Sequence, residues 1–234
     1  AERTHFDGRV SETLDEAEVL RLAERLAGEG AEAVAVCFLH AHVNPANERL
    51  AARILAQALP DVFIATSSEV LAEIREVERF QTTAINAYVA PRVGRYLDSL
   101  AGALSQRGFD KPVAVMTSNG GAWPLSRVTR LPVNSILSGP AAGVIGAAHL
   151  ARTADLGDLI TLDMGGTSTD TCLVQGGGYA MSNGSGAGGL ASRVRGIEIN
   201  SVGAGGGSIA WRDVGGFLNV GPRSAGARPG PACY

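Results

Sequence analysis

The chain has 234 residues, of which 45% are hydrophobic and 18% charged, a balance typical of soluble globular proteins. Its formal net charge of −3 argues against a nucleic-acid partner, and no apolar run approaches the roughly 18 residues that span a bilayer. We therefore expect neither a nucleic-acid nor a membrane partner. The three cysteines lie far apart without metal-binding spacing, so we expect reduced thiols in a cytoplasmic protein.

Helix and strand patterns alternate in the first part of the chain. Residues 13–30 combine a capping box, an amphipathic repeat and terminal glycines, which predicts a helix that ends at Gly28 or Gly30. The apolar run 33–39 is typical of a strand buried on both faces. A second helix, with Pro45 at its start, leads to another strand over 62–65. This alternation predicts right-handed crossovers and a parallel sheet.

One long helical pattern, over residues 77–106, dominates the middle of the chain. We expect Pro91 to kink or split it, because the proline ring clashes with the preceding turn. Short strands are predicted at 112–117 and 134–137, and Ser138 is predicted to cap the next helix. The glycine-rich remainder predicts short strands and loops. We expect two domains: a small α/β lobe over residues 1–70 and a core region over residues 71–234.

The most distinctive segment joins two predicted strands through a turn of glycines and hydroxyl side chains. Asp163 ends a buried strand, where an unpaired carboxylate would be costly, and Asp170 precedes the next strand. The turn comprises Gly165, Gly166, Thr167, Ser168 and Thr169. Such a turn presents N–H and hydroxyl donors to an anion, above all phosphate, while the two carboxylates suit a cation or a water. The alternative is a plain β-hairpin with nothing bound.

Three further glycine-containing segments are candidates for the same site. A turn at a strand end, where α/β proteins bind ligands, comprises Ser118, Asn119, Gly120 and Gly121. Ser138 and Gly139 open a helix whose dipole favours an anion, unless they only begin a closely packed helix of small residues. Residues 202–209 lack the context of a dinucleotide fingerprint, which leaves an active-site loop, a subunit contact or a connector.

Two other clusters have plainer interpretations. His40 and His42 alternate after a strand, but two histidines without a third ligand are more typical of hydrogen-bonded residues at a strand end than of a metal site. The charged residues within 73–79 are typical of a solvated helix face.

Seven segments together resemble one family in their sequence and order. They are residues 73–76, 82–88, 118–121, 138–143, 162–170, 202–209 and 226–234. The chain is similar over nearly its whole length to the hydantoinase A / 5-oxoprolinase family, which includes ATP-hydrolysing subunits of acetone-type carboxylases. The turn after Asp163 resembles a phosphate loop of the actin-like ATPase superfamily and has no Walker-type lysine.

The resemblance implies a partial ribonuclease H-like (actin-like ATPase) α/β fold with a glycine-rich C-terminal region. It also implies an enzyme that binds ATP with Mg²⁺ or Mn²⁺ and phosphorylates the carbonyl oxygen of a hydantoin- or 5-oxoproline-type substrate. Asp163 would hold the metal and, with Asp170, act in catalysis. Residues 165–169, 118–121 and 138–139 would contact the cofactor.

The resemblance further implies a hydantoinase B-type partner subunit or domain and a small cyclic amide or ketone substrate. Alternatives are a ketone carboxylase subunit, a non-catalytic assembly fragment and a sugar kinase of the same superfamily. Two ATP-site elements of that family, an N-terminal phosphate loop and a downstream adenosine element, do not occur in this sequence. We therefore expect a piece of a longer protein that is inactive and binds ATP poorly when isolated.

Overall fold

The computed structural model describes residues 2–184 and 192–231, which form two compact units. The first unit comprises residues up to 117, 121–136 and 183–195, and the second comprises residues 118–120, 137–182 and those from 196 onward. Within the described residues, no helix has the length and apolarity needed to cross a membrane. The two domains predicted from the sequence, residues 1–70 and 71–234, divide the chain differently from these two units, and that boundary stays a prediction.

The first unit begins with a small antiparallel pair and a parallel pair of strands joined through a helix. Its elements are β1 (Arg3–Thr4), β2 (Val10–Glu12), α1 (Glu16–Gly28), β3 (Ala33–Val36), α2 (Ala46–Ala58) and β4 (Phe63–Thr66). The predicted parallel pairing is confirmed, because β3 and β4 run parallel in the register Ala33 to Phe63. The predicted capping box is wrong, since the carboxylate of Asp15, not Thr13, accepts the N–H groups of Ala17 and Glu18.

The rest of the first unit is mostly helical. It contains α3 (Ser67–Val70), α4 (Glu76–Gln106), β5 (Ala114–Met116), β6 (Ala122–Pro124), α5 (Leu125–Arg130) and a 3-10 helix (Pro132–Ser135). Pro91 lies inside α4 and does not split it. The predicted strand 134–137 is wrong: the side chains of Asn134 and Ser135 bond to the carbonyls of Leu131 and Pro132, which favours a turn.

The core of the first unit lies between α1, α2 and the β3–β4 pair. Its buried members include Val19, Ala23, Val36, Ile54, Leu55 and Ile64. Ala35 is exposed, so the prediction that this strand is buried on both faces does not hold within the chain. The prediction of a solvated charged face is wrong for Arg79, whose side chain is 1% exposed.

The second unit packs one helix against an antiparallel sheet. Its elements are α6 (Ser138–Thr153), β7 (Leu159–Met164), β8 (Thr169–Gln175), β9 (Gly178–Tyr179), β10 (Met181–Asn183), β11 (Arg195–Ile197), β12 (Asn200–Val202), β13 (Ser208–Arg212) and β14 (Leu218–Ser224). The strand order is β12-β8-β7, with β9 also paired to β8. Strands β10 and β11 pair with each other, and β13 and β14 form a separate antiparallel pair.

The face of β7 and β8 that meets α6 forms the second core. Ala141, Val144 and Ala148 of α6 pack there against Cys172, Val174 and Ile197, and the small side chains permit close approach. The opposite face is exposed at Ile160, Leu162 and Met164. Within residues 2–184 and 192–231, β7 is therefore an edge strand covered on one side and not the buried strand predicted.

The thiols agree with the prediction where they can be compared. Cys37 and Cys172 are free, and Cys233 lies outside the described residues. Burial raises the pKa of the Cys37 thiol to about 11, which makes it a weak nucleophile at neutral pH.

Candidate phosphate-binding site

The glycine-hydroxyl segment forms the turn of a β-hairpin, as the sequence predicted. β7 and β8 pair from Leu159–Val174 to Met164–Thr169, and Gly165 N donates to Ser168 O across the turn at 2.9 Å. The strands therefore deliver the turn at one end of the sheet, directly beyond Asp163.

A second loop fixes the turn from behind. Gly206 N donates to Gly165 O at 2.9 Å, and Gly207 N donates to Gly166 O at 2.7 Å. Both carbonyl oxygens therefore already accept a hydrogen bond from the protein. Among the described residues, no hydrogen bond is donated by the main-chain N–H groups of Gly166 and Thr167, and both residues are exposed. A turn whose carbonyls are already bonded, and whose main-chain N–H groups are not, can offer those N–H groups to an anion.

Glycine is required where the two loops touch. A Cβ on Gly205 would lie 2.6 Å from Gly165 O and 2.7 Å from Thr167 N, both main-chain atoms. A Cβ on Gly207 would lie 2.9 Å from Gly166 O. The segment 202–209, for which the sequence left three interpretations, therefore packs on the phosphate-loop candidate.

The hydroxyl side chains divide into two groups. Thr169 is 8% exposed and donates through Oγ1 to Ala204 O, so it ties the loops together and is not a free donor for a ligand. Thr167 is exposed and Ser168 is half-buried, and neither hydroxyl has a hydrogen bond within the part of the chain that is described.

Asp163 and Asp170 are direct neighbours across β7 and β8. Like charges in this arrangement repel, which costs about 0.2–1 kcal/mol unless a cation or a hydrogen-bond donor lies between them. Ser201, on β12, donates its hydroxyl to Asp170 Oδ1, whereas Asp163 is exposed. The expectation that Asp163 is buried is therefore wrong, although it lies at the end of the strand as predicted.

Both carboxylates line a groove of about 320 Å³ beside the start of α6. Its lining also includes Pro140 and Gly143, from the first two turns of that helix. Ser138 is the first residue of α6 and Leu137 occupies the cap position without a side-chain bond, so the predicted capping by Ser138 is wrong. Ser138 and Gly139 do not line the groove; Pro140, in the same first turn, does.

The turn of residues 118–121 is only partly available to a ligand. Ser118 is 2% exposed: its hydroxyl accepts from Leu137 N and its carbonyl accepts from Ile197 N, so it orients the start of α6. Gly120 has φ +84° and lies against Ile145, while Asn119 is exposed. Gly121 O closes the turn by accepting from Thr117 N and Oγ1.

Ser201, which positions Asp170, was missed by the sequence patterns. Gly206 and Gly207 belong to the candidate segment 202–209, but the bonds from their amides to the carbonyls of Gly165 and Gly166 were not predicted. They lie more than thirty residues along the chain, and no local pattern predicts which strand or loop they meet.

Comparison with known proteins identifies the family. The sequence model of the family described as hydantoinase/oxoprolinase matches residues 79–234. The family model of the hydantoinase/oxoprolinase N-terminal region matches residues 1–59. The chain belongs to the hydantoinase/oxoprolinase family. The predicted resemblance is thus confirmed.

Relatives and solved structures agree with this assignment. Caprolactamase subunit alpha of Pseudomonas jessenii is 40% identical over 228 residues, which covers 97% of this chain and 33% of that protein. The 5-oxoprolinase of Saccharomyces cerevisiae is 35% identical over 228 residues, 97% of this chain and 17% of that protein. A nucleotide-free structure of acetone carboxylase superposes with a TM-score of 0.84 at 29% identity, over 97% of this chain and 32% of that one.

These figures also define how much of a relative the chain represents. It spans about a third of the caprolactamase subunit and of the acetone carboxylase chain, and less of the 5-oxoprolinase. The mixed α/β architecture, with structural neighbours in this family, is therefore secure for this portion.

Proposed function

We propose that this chain supplies a nucleotide-phosphate site to an ATP-dependent enzyme that activates a cyclic amide, such as a hydantoin or a lactam. The observation that carries the proposal is the turn at Gly166 and Thr167. Among the described residues their main-chain N–H groups donate no hydrogen bond, while the carbonyls of Gly165 and Gly166 accept from Gly206 and Gly207. Membership of a family with an ATP-dependent caprolactamase and a 5-oxoprolinase supports it. A ribonuclease H-like fold and a cytoplasmic location belong to the same proposal.

The donors in the turn would bind phosphate oxygens. N–H groups that bond to a charged oxygen contribute about 1.5–3 kcal/mol each, more than they do to a neutral acceptor. The hydroxyls of Thr167 and Ser168 and the N-terminus of α6, at Ser138 and Gly139, add further donors. We assign Thr169 and Ser118 to supporting roles, because their hydroxyls already bond to the protein.

The carboxylates fit a divalent cation that is completed by the nucleotide. Within residues 2–184 and 192–231 there is no group of three His, Cys, Asp or Glu side chains that could hold a metal alone. Mg²⁺ suits such a site, because it commonly takes one or two carboxylates, several waters and substrate phosphates. Asp163 would hold Mg²⁺ or Mn²⁺, and Asp170 would support it; the ion would neutralise phosphate charge during transfer.

The chemistry follows from the weakness of an amide as an electrophile. Transfer of the γ-phosphoryl group from ATP to the carbonyl oxygen would release ADP and convert that oxygen into part of a leaving group. Water would then add to the carbon, and the ring C–N bond would break as the nitrogen takes up a proton and leaves, which gives an acyl phosphate. A second water would hydrolyse the acyl phosphate to the carboxylate and phosphate, with a partner subunit or domain completing the hydrolysis. The role of this chain is positioning and charge neutralisation.

Substitution of Asp163 tests the proposal in the full-length protein with its partner. We expect Asp163→Asn to lower substrate-dependent ATP hydrolysis by about a hundredfold or more, because it removes a charge at the metal. Asp155→Asn is the matched control: Asp155 is exposed in the same unit, and asparagine tolerates its left-handed backbone. Unchanged hydrolysis in Asp163→Asn would refute the role of Asp163, whereas failed assembly with normal hydrolysis would favour an assembly module.

A ketone carboxylase is the second candidate, supported by the similarity to acetone carboxylase. Comparison of ADP release with hydantoin, 5-oxoproline and caprolactam against acetone with bicarbonate distinguishes the two activities. Phosphoryl transfer to a sugar would instead indicate a kinase of the same superfamily.

A further inference from the structure

The first unit contains a second pocket that the proposed nucleotide site does not use. It has a volume of about 310 Å³, within the range of small-molecule sites. Its lining combines two histidines, two arginines, one carboxylate and three apolar side chains: His40, His42, Arg75, Arg79, Glu76, Phe6, Leu39 and Ile74.

The buried guanidinium of Arg79 forms one wall. Its Nε donates to Ser67 Oγ at 3.1 Å, Nη1 donates to Glu73 O at 2.8 Å, and Nη2 donates to Phe38 O at 3.1 Å. The Ser67 hydroxyl donates in turn to Glu48 Oε1, which links the guanidinium to a buried carboxylate. Arg79 is thus fixed in place, and one N–H of Nη2 has no acceptor among the described residues.

The contact with Arg79 determines which nitrogen of His42 carries the proton. Arg79 Nη1 lies 3.3 Å from His42 Nδ1 and can only donate, so Nδ1 accepts and the neutral ring is protonated on Nε2. Burial, and then the charges of Arg79 and His40, lower the pKa of His42 and keep the ring neutral near pH 7. His42 therefore offers a fixed N–H donor.

The backbone around this pocket is strained at two places. The described residues contain three non-glycine residues with positive φ, and two of them, His40 at 58° and Arg75 at 76°, line this pocket. Each such conformation costs about 1–2 kcal/mol for a residue with a side chain. Strain of this kind clusters at ligand sites, because it aims particular side chains.

Apolar side chains complete the pocket. Phe6 is 80% exposed, Ile74 65% and Leu39 47%, a combination that leaves a hydrophobic lip around the donors. Glu76 is the one carboxylate of the lining, and the neighbouring Glu78 is engaged by Arg75 at 3.4 Å. The donors thus outnumber the acceptors beside an apolar surface.

We propose that this pocket binds a small carboxylate with a short apolar body, held by His42 Nε2–H, Arg75 and Arg79. The carboxylate accepts hydrogen bonds from these groups, and the apolar body lies against Leu39, Ile74 and Phe6. The site is separate from the nucleotide proposal and needs no ATP.

Two probes of the same shape test the proposal, isovalerate and its neutral amide, isovaleramide. Calorimetric titration of the full-length protein without nucleotide is expected to give binding of isovalerate at least about tenfold tighter than that of isovaleramide, because bonds to charged groups are stronger. His42→Phe and Arg75→Ala should each weaken isovalerate binding by about tenfold or more. His42→Gln, which keeps a donor near the Nε2 position, should weaken it less than His42→Phe.

The control is Arg95→Ala, because Arg95 pairs with Glu32 on the surface of the same unit and does not line the pocket. It should leave binding unchanged, and thermal unfolding should confirm that each variant is folded. Equal affinity for the two probes, no binding at millimolar concentration, or full binding by a folded His42→Phe variant would overturn the proposal. Loss of ATP hydrolysis in Asp163→Asn has no bearing on this result.

Discussion

The two loops of the candidate site pack closely because residue 205 is a glycine and has no Cβ. A Cβ at this position would lie 2.6 Å from Gly165 O, a main-chain atom that cannot rotate away. We expect Gly205→Ala to displace the phosphate loop and lower ATP-dependent activity by about tenfold or more, since small misplacements are costly in positioned chemistry.

Gly203→Ala is the matched control, because a Cβ there would meet nothing within 4 Å. Kinetic assays of both variants in the full-length protein measure the difference. Equal activities would mean that the contact between the loops does not position the turn.

His42 gives the first unit a defined pH dependence. Its pKa is lowered in the folded state, so between the folded value and the ordinary 6.5 the unfolded state binds more protons. The contribution of His42 to stability is therefore complete above pH 6.5 and decreases as the pH falls below it. Urea unfolding at a series of pH values should give a shallower loss in His42→Gln than in the parent protein, and identical slopes would contradict the lowered pKa.

Individual site residues could be predicted where the signal is local. The succession of Asp163, two glycines and three hydroxyls reads as an anion-binding turn in the sequence alone. The bonds that commit Thr169 and Ser118 to the protein were not predictable, because they depend on the position of Ala204 and of Leu137. The exposure of Asp163 was also missed, because the sequence of β7 does not indicate how many strands pair with it.

At the scale of elements, Asn86 joins α4 to the 3-10 helix. Its side chain is fully buried, Oδ1 accepts from Val133 N at 3.2 Å, and Nδ2 donates to Arg130 O at 3.3 Å. We expect Asn86→Ala to lower the free energy of unfolding by about 1–3 kcal/mol, because it leaves two main-chain groups unpaired.

Ser99→Ala is the control on an exposed face of α4 and should change the free energy by less than about 0.5 kcal/mol. Denaturant unfolding compares the two. A loss no larger in Asn86→Ala than in the control would show that the 3-10 helix does not depend on this side chain.

Helices and strands with a regular spacing of apolar residues were predicted better than the residues at which they begin and end. The parallel pair β3–β4 and the long helix α4 follow from apolar spacing, whereas the cap of α1 shifted from Thr13 to Asp15 because both can accept an N–H. The failed strand at 134–137 is a short apolar run in which local side-chain bonds prevailed over strand propensity.

At the scale of the whole molecule, the chain forms two compact units and spans about a third of the caprolactamase subunit. The family and its mixed α/β architecture could be predicted, because seven segments resemble that family in sequence and order. The identities of the substrate and the partner could not be predicted, because their recognition depends on surfaces that the seven segments do not describe.

The central claim is that the N–H groups after Gly165 bind nucleotide phosphate. The pair Gly166→Ala and Gly166→Pro tests it directly, because a Cβ at this position has open space and only proline removes the N–H. Calorimetric titration of the full-length protein with Mg-ATP should give near-normal affinity for Gly166→Ala and at least about tenfold weaker binding for Gly166→Pro. Equal affinities in two variants with the same thermal stability would contradict the account.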